Sequence, residues 1–349
     1  MTVRVGFLGG GFIAHYHGKM LHTSGADVAI TQVYDPDPEK AASFAERSGA
    51  AVATSEDAVF DAVDAVYIAT WTSEHRRLVE AAAARGLPVF SEKPLATSLA
   101  DALAMVDAVK AGGVTNQVGL VLRDSPSFNL LRHLINRPES GRVMSVVFRD
   151  DQFIPIQGMY ASTWRSDPTK AGAGTLLEHS IHDLDLLEWL FGPVSSVSGR
   201  SAEFHDIAGI EDLAVASLGF ASGAMGTLTS VWHDILERPS LRRVEVFCER
   251  AFYVLEGDVD GPVHWTLDGD QGSLAGAELR EALPGFGITI RNPDAAFVEA
   301  VANGTPAYPD FNEALRAHVL AEALYRSARD GDGGSAIAVP AGRPPVGWP

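Results

Sequence analysis

The chain has a single cysteine, Cys248, in 349 residues. A lone cysteine excludes an intrachain disulfide framework and a cysteine-rich zinc site, and we expect no metal site. Basic residues are also few, 27 against 45 acidic ones, which gives a formal net charge of −18. This balance argues against nucleic acid or an anionic membrane surface as a partner, because both require a basic patch.

Long apolar runs are absent as well. No stretch approaches the roughly 18 residues needed to span a bilayer. Met1 is followed directly by a strand-like segment instead of a secretory signal, which favours the cytoplasm. The length, with 46% hydrophobic and 21% charged residues, is typical of two globular domains.

The first third of the chain alternates apolar strands with helices. A strand at Val3–Leu8 runs straight into a Gly-x-Gly-x-x-Ala loop that opens a helix. Small residues there permit a tight turn, a close approach to a pyrophosphate and close helix–strand packing, and the helix N-terminus offers N–H groups to phosphates. The loop residues that we assign to cofactor binding are Gly9, Gly11, Phe12, Ile13 and Ala14.

Asp35 ends the second strand, at residues 27–34. A carboxylate placed about 20 residues after the loop accepts hydrogen bonds from ribose hydroxyls and repels a 2′-phosphate, so we expect NAD in preference to NADP. A turn role for Asp35 is compatible with this function. Further strands at 65–70, 87–93 and 116–122 predict a parallel, doubly wound sheet.

Lys93 stands at the end of the strand that precedes Pro94. The carboxyl ends of parallel strands border the ligand crevice of such sheets, so Lys93 is a candidate acid/base residue. The alternative is a solvated surface lysine before a turn.

The second half shows a different pattern, with alternating segments at 143–152, 194–204, 213–220, 224–232, 244–247 and 252–255 that predict antiparallel strands. Between them we expect one continuous helix from Thr175 to Phe191. In such a helix Glu178, His182 and Asp185 share one face. Structural alternatives are a Thr175–Glu178 capping box, a salt bridge for Asp185 and a satisfied structural histidine at 182.

Taken together, these segments resemble the Gfo/Idh/MocA family of oxidoreductases. The resemblance is carried by the glycine loop, Asp35, the segments 69–75 and 92–94, Trp164-Arg165, and residues 172–185. It implies a Rossmann domain that binds NAD(P), followed by an α+β domain with an open, mostly antiparallel sheet. The outer face of that sheet would form a homodimer or homotetramer.

The resemblance also implies roles for individual residues. Lys93 and His182 would be a catalytic pair contributed by the two domains, and Glu178 stands where the family often has aspartate. Trp71 stands where proline is frequent. The residues implied on the cofactor side, besides the loop and Asp35, are Thr70, Trp71, His75, Glu92 and Lys93.

Substrate binding is assigned to basic and aromatic side chains near these motifs. The residues are Lys93, Arg123, Trp164, Arg165, His179 and His182. Arginine forks hydrogen-bond polyols or carboxylates, although both arginines could instead be solvated. We expect domains at 1–123 and 124–330 and a loosely held tail at 331–349.

The expected function is NAD(P)-dependent hydride transfer to or from a hydroxyl or carbonyl carbon of a sugar, inositol or related polyol. The alternatives are a reductase of a non-sugar carbonyl or imine, and a non-catalytic NAD-sensing protein of the same fold.

Overall fold

A computed structural model of the chain describes residues 2–329, 334–345 and Trp348. Its contacts divide the chain into two compact units. Unit 1 comprises Met1–Leu120, Thr169–Gly172 and Arg291–Leu315, and unit 2 comprises Val121–Pro168, Ala173–Ile290 and Arg316–Pro349. Residues 291–315 thus belong to unit 1, although they follow residues 173–290 of unit 2 in the sequence.

Unit 1 is built on a six-stranded sheet in the order β3-β2-β1-β4-β5-β6, with every neighbouring pair parallel. The strands are β1 (Val3–Leu8), β2 (Val28–Tyr34), β3 (Ala51–Val52), β4 (Ala65–Ile68), β5 (Val89–Ser91) and β6 (Asn116–Val118). The helices between them are α1 (Phe12–Thr23), α2 (Pro38–Ser48), α3 (Glu56–Phe60), α4 (Thr72–Ala84) and α5 (Leu99–Gly112). This is the predicted doubly wound parallel sheet.

Aromatic rings form the centre of unit 1. Phe7, Tyr67 and Phe90 lie on the adjacent strands β1, β4 and β5, and their rings stack with centroids 4.7 Å apart. Phe297, from a helix late in the chain, packs edge-on against Tyr67 and Phe90. Strands buried on both faces are typical of parallel sheets, which explains their continuous apolar sequences.

Unit 2 is built on a nine-stranded sheet in the order β14-β13-β12-β11-β7-β10-β9-β8-β15. Its strands are β7 (Val143–Phe153), β8 (Val194–Ala202), β9 (Leu213–Phe220), β10 (Met225–His233), β11 (Leu241–Cys248), β12 (Ala251–Glu256), β13 (Val263–Leu267), β14 (Asp270–Leu274) and β15 (Ile337–Ala338). All pairs are antiparallel except β7 with β10. The mostly antiparallel second sheet was thus correctly predicted.

The remaining helices complete the two units. They are α6 (Pro126–Ile135), α7 (Pro168–Ala171), α8 (Ile181–Phe191), α9 (Gly276–Ala282), α10 (Pro293–Asn303) and α11 (Phe311–Arg329). Short 3-10 turns lie at Val121–Asp124, Pro138–Ser140, Thr163–Ser166 and Leu283–Phe286. In the part of the chain that the structure describes, no helix combines the length and the apolar character needed to cross a bilayer.

Two local predictions were wrong. The helix expected from Thr175 to Phe191 is interrupted, because Thr175–His179 forms a π-helical turn and α8 begins only after Ser180. The tail was expected to be loosely held, but Ile337–Ala338 pairs with β8. Residues 331–333, 346, 347 and 349 of that tail lie outside the described residues.

Candidate active site

The glycine loop between β1 and α1 has the form that a dinucleotide requires. Gly9 adopts φ +99°, and a Cβ atom there would lie 2.3 Å from the Ala69 carbonyl oxygen. A Cβ on Gly11 would instead meet no atom within 4 Å among the described residues. Ala14 is fully buried and Phe12 is 65% exposed. The loop thus leaves space beside Gly11 and packs tightly behind Gly9, as a bound pyrophosphate needs.

The start of α1 can receive an anion. Among the described residues, no side chain caps its N-terminus at Gly11, and its first turn holds no acidic residue. The first N–H groups and the positive end of the helix dipole are therefore offered to a ligand. This donor set fits a dinucleotide phosphate.

Asp35 lies at the C-terminal end of β2, beside the loop. Its Oδ2 accepts the Gly10 N–H at 2.8 Å, and its Oδ1 accepts the Asp37 N–H at 2.8 Å. The Asp35 carboxylate thus fixes the glycine loop and also forms the predicted turn. It stays partly exposed, so it can also accept from a ribose hydroxyl.

The segments after β4 and β5 lie on neighbouring strands at the same sheet edge. His75 is buried, and its Nδ1 donates to the Pro94 carbonyl oxygen at 3.0 Å, while Nε2 lies 3.4 Å from that of Thr70. Burial lowers the pKa of His75, so the ring is neutral and joins the two segments. Trp71 is 38% exposed, and Lys170 of unit 1 lies 4.4 Å from its ring centroid.

Glu92 and Lys93 end β5. The Glu92 Oε2 atom accepts the Lys93 backbone N–H at 3.0 Å. Glu92 is buried and Lys93 is half-buried, so Lys93 is not a fully solvated surface lysine. The predicted cofactor residues Thr70, Trp71, Glu92 and Lys93 therefore all lie at the carboxyl ends of β4 and β5.

A buried histidine that sequence reasoning missed supports Glu92. His17 of α1 has Nε2 2.8 Å from Glu92 Oε1 and Nδ1 2.7 Å from Asp294 Oδ1, with all three side chains buried. Burial lowers the pKa of His17, but the two carboxylates outweigh it and raise that pKa to about 10. Because both ring nitrogens face a carboxylate, the ring is an imidazolium.

The glycine turn of unit 2 positions the segment that carries Glu178. A Cβ on Gly174 would lie 1.8 Å from the Glu211 carbonyl oxygen, so the position requires glycine. The Glu211 carboxylate accepts the N–H groups of Gly174 at 2.7 Å and of Leu176 at 2.9 Å. These bonds hold the start of the π-helical turn.

A π turn replaces the first turn of the predicted helix. The Ser180 N–H donates to the Thr175 carbonyl oxygen at 2.8 Å, an i to i+5 bond that adds one residue to the turn from Thr175 to Ser180. The predicted capping box is not formed. Thr175 Oγ1 instead lies 2.7 Å from Ser230 Oγ, and Glu178 binds Arg165.

Glu178 and Arg165 form an ion pair in unit 2. Arg165 Nε donates to Glu178 Oε1 at 2.7 Å, and the guanidinium carbon lies 4.5 Å from the centroid of the Trp164 ring. Glu178 is buried and Arg165 is partly exposed. The pair thus presents an oriented guanidinium and the Trp164 ring, which suit a hydroxyl-rich ligand.

His182 is buried on the first turn of α8.

Arg123 is not a solvated residue. Its Nε and Nη2 atoms donate to the Asp185 carboxylate at 2.8 and 2.6 Å, with both side chains buried. The salt bridge considered for Asp185 is therefore present. This salt bridge occupies one edge of the Arg123 guanidinium, which we had assigned to substrate binding.

Three further charged residues of unit 2 were missed by sequence reasoning. Asp150, Asp183 and Arg242 are fully buried and contact His179 or one another. The signal available in the sequence was weak, since only Asp183 adjoins a predicted site residue. Among the residues that the structure describes, no group of three or more His, Cys, Asp or Glu side chains is arranged to hold a metal ion.

Comparisons with known proteins agree with this geometry. Residues 3–120 match the family model described as "Oxidoreductase family, NAD-binding Rossmann fold". Residues 128–254 match the model of the GFO/IDH/MocA C-terminal domain. The two models together cover more than half of the chain and confirm the resemblance inferred from the motifs.

Similar proteins include two inositol dehydrogenases. Scyllo-inositol 2-dehydrogenase (NAD(+)) of Bacillus subtilis is 32% identical over 67% of this chain and 70% of its own length. Inositol 2-dehydrogenase of Rhizobium meliloti is 28% identical over 95% of this chain and 98% of its own. Among solved structures, the WlbA dehydrogenase of Bordetella pertussis with NADH and UDP-GlcNAcA matches with a TM-score of 0.83 and 26% identity, covering 97% of this chain and 98% of that one.

The matched models, the fitted dinucleotide loop and the Glu-Lys-Pro strand end all lead to one assignment. The chain belongs to the GFO/IDH/MocA family and is an oxidoreductase with an NAD-binding Rossmann domain.

Proposed function

We propose that this chain transfers a hydride between NAD and a hydroxyl or carbonyl carbon of a sugar, an inositol or a related polyol. The observation that carries the proposal lies in unit 1. Strands β1, β4 and β5 are adjacent and parallel, so the glycine loop and Lys93 lie at the same edge of one sheet. The substrate class is supported by the inositol dehydrogenases among the similar proteins.

The proposed cofactor contacts are those of the loop and the neighbouring strand ends. Gly9, Gly11, Phe12, Ile13 and Ala14 hold the pyrophosphate, and Asp35 holds the ribose. When bound, NAD takes up the hydride that leaves the carbinol carbon in oxidation and returns it in reduction. The segments ending in Thr70, Trp71, His75, Glu92 and Lys93 complete the cofactor side.

Proton transfer is assigned to Lys93 and His182. In oxidation, His182 or neutral Lys93 takes the hydroxyl proton as the hydride leaves. In reduction, the Lys93 ammonium stabilises the developing alkoxide and returns the proton. Glu178, which is paired with Arg165, orients the reacting group. We assign the substrate contacts to Trp164, Arg165, His179 and Arg123. One edge of the Arg123 guanidinium also binds Asp185.

The test compares Lys93→Met and His182→Asn with matched surface variants. Lys110→Met and His264→Asn change the same residue types at exposed positions. NADH formation is measured over a panel of sugars and inositols, and NAD binding by calorimetry. We expect the two site variants to lose at least a hundredfold in kcat and to keep NAD affinity within a fewfold. Full turnover by both site variants would refute the assignment.

A thermal-shift screen identifies the substrate. Sugars and inositols are added with NAD or NADP, since a ligand that binds only the folded state raises the Tm by mass action. We expect a shift with NAD and an additive shift with one polyol class. NAD binding without any polyol response or turnover would favour a sensing role, and turnover confined to other carbonyls or imines would favour a different reductase.

We further propose a cytoplasmic homodimer or homotetramer formed through the second sheet. The outward face of this sheet carries the exposed apolar side chains Val147, Val215 and Phe247. Light scattering of the wild type and of Val147→Glu measures the assembly, and an unchanged mass for the variant would contradict this interface. The one cysteine is buried and unpaired, which suits a reducing compartment.

A further inference from the structure

A cluster of buried charges lies on the inner face of the unit 2 sheet. Asp150 of β7 stands directly opposite Arg242 of β11 and Ser230 of β10 in the strand register. Asp183 of α8 completes the cluster from above the sheet. Arg242 donates from Nε to Asp183 Oδ1 at 2.6 Å, and its Nη2 lies 2.9 Å from Asp150 Oδ2.

Arg242 bridges the two carboxyl groups of this cluster, and the second oxygen of each, Asp150 Oδ1 and Asp183 Oδ2, is buried without a hydrogen-bond partner among the described residues. Two ionised carboxylates have only acceptor atoms, whereas a proton on one of them supplies the donor that these buried oxygens lack. One buried guanidinium also cannot neutralise two buried acids. The third acid bonded to Arg242, Asp258, has a side chain that is 38% exposed and keeps access to solvent.

Burial also favours a protonated carboxyl group in this cluster. It raises the pKa of Asp183 to about 7, because the opposing effect of Arg242 is outweighed and the nearby charge of Asp150 adds to the rise. It also raises the pKa of Asp150, again against Arg242. Like charges that share a buried site do not both ionise, so one proton is held by the pair near neutrality.

His179, one of the proposed substrate contacts, binds directly to the acid pair. The Nε2 atom of His179 lies 2.9 Å from Asp150 Oδ2, and the His179 side chain is 14% exposed. Arg242 Nη2 lies 3.2 Å from the same Nε2 atom. A charged Asp150 favours a proton on Nε2, whereas a neutralised Asp150 leaves Nε2 to accept from Arg242.

Further polar and charged groups lie near the pair. Ser180 Oγ lies 3.5 Å from Asp150 Oδ2 and donates to Ser230 Oγ at 2.6 Å. The charge of Asp151, on the same strand, acts on Asp150 from the side. The charges of Asp258 and Arg242 also act on Tyr160, as do those of Glu178 and Arg165. The cluster thus shares its surroundings with the proposed substrate contacts.

We propose that Asp150 and Asp183 share one proton and that this acid pair sets the protonation of His179, which makes them positioning residues of the substrate site. The proposal relies on the proposed function only in placing His179 among the substrate contacts. It adds a second titrating element to an active site whose proton transfer is assigned to Lys93 and His182.

The first test needs no substrate. Imidazole nitrogen shifts of His179 are followed by NMR in the full-length chain as the pH changes, with assignment by His179→Gln. In the wild type we expect His179 to change its protonation in step with a transition near neutrality. Asp183→Asn supplies a permanent N–H donor to Asp150 and should abolish that step. Asp268→Asn, at an exposed position, is the matched control.

An unchanged His179 titration in Asp183→Asn would overturn the proposal. If that variant fails to fold, infrared spectroscopy of the wild type decides, because a shared proton gives a protonated-carboxyl band at neutral pH that disappears on alkalinisation. Absence of the band would also overturn it. A substrate found by the screen adds a third readout, since Asp183→Asn should remove one limb of the pH profile of kcat/KM and keep the plateau within about threefold. A chain without polyol turnover would refute the proposed function and leave the NMR result standing.

Discussion

Replacing His17 by phenylalanine tests a fully buried electrostatic contact of unit 1. The substitution keeps a ring of similar size beside Phe90 and removes both N–H donors from the buried carboxylates of Glu92 and Asp294. Breaking a buried ion pair by removing one partner costs about 3–5 kcal/mol. We therefore expect the free energy of unfolding of unit 1 to fall by about that amount at pH 7.

The pKa of His17 gives this loss a pH dependence. A pKa raised from 6.5 to about 10 in the folded chain contributes stability that is complete below pH 6.5 and is lost as the pH rises through 10. At 1.36 kcal/mol for each pKa unit, the contribution is about 5 kcal/mol. The stability difference between the wild type and His17→Phe should thus shrink steadily between pH 7 and pH 10.

Hydrogen exchange of the α1 amides, read as local free energies, measures unit 1 without interference from unit 2. His22→Phe is the matched control, because His22 is exposed in the last turn of the same helix and should change stability by less than about 0.5 kcal/mol. A loss in His17→Phe that equals the control, or that is the same at pH 7 and pH 10, would refute the reasoning.

Three further predictions concern backbone space and a buried ion pair. Gly9→Ala places a Cβ 2.3 Å from a carbonyl oxygen, so calorimetry should show at least tenfold weaker NAD binding, and unchanged affinity would contradict the loop assignment. Asp185→Asn leaves Arg123 buried without its carboxylate and should cost about 3 kcal/mol in urea unfolding, whereas a cost below about 1 kcal/mol would mean that the pair is dispensable. Gly174→Ala should lower the Tm of unit 2 while exchange in α1 stays unchanged, and a wild-type Tm would show that this turn relaxes freely.

Much of unit 1 could be predicted because its signals are local. The glycine loop, Asp35 and the strand ending at Lys93 each depend on residue types at short spacing, and parallel strands bring such ends to one edge. His17 was missed for the opposite reason. Its partner Asp294 is 277 residues away in sequence, so no local pattern indicates the contact.

Unit 2 also contains contacts between residues distant in sequence, which no local pattern could predict. The periodicity around Glu178 and His182 is helical, yet the π turn depends on bonds to Glu211, which precedes β9, and to Ser230 of β10. Strand alternation indicates a buried face but does not tell which polar residues on it will pair. The side-chain roles proposed for Lys93, His182 and Glu178 stay predictions.

The discontinuous composition of unit 1 has a consequence for biosynthesis. Its sheet ends at Val118, but Asp294 and Phe297, which contact His17 and the aromatic centre, are translated some 175 residues later. Chains emerge from the ribosome in order, and early domains usually fold first. Until α10 is synthesised, the nascent Rossmann sheet lacks Phe297 over its aromatic centre, and His17 lacks its partner Asp294. A chain truncated after residue 120 is therefore expected to need a chaperone.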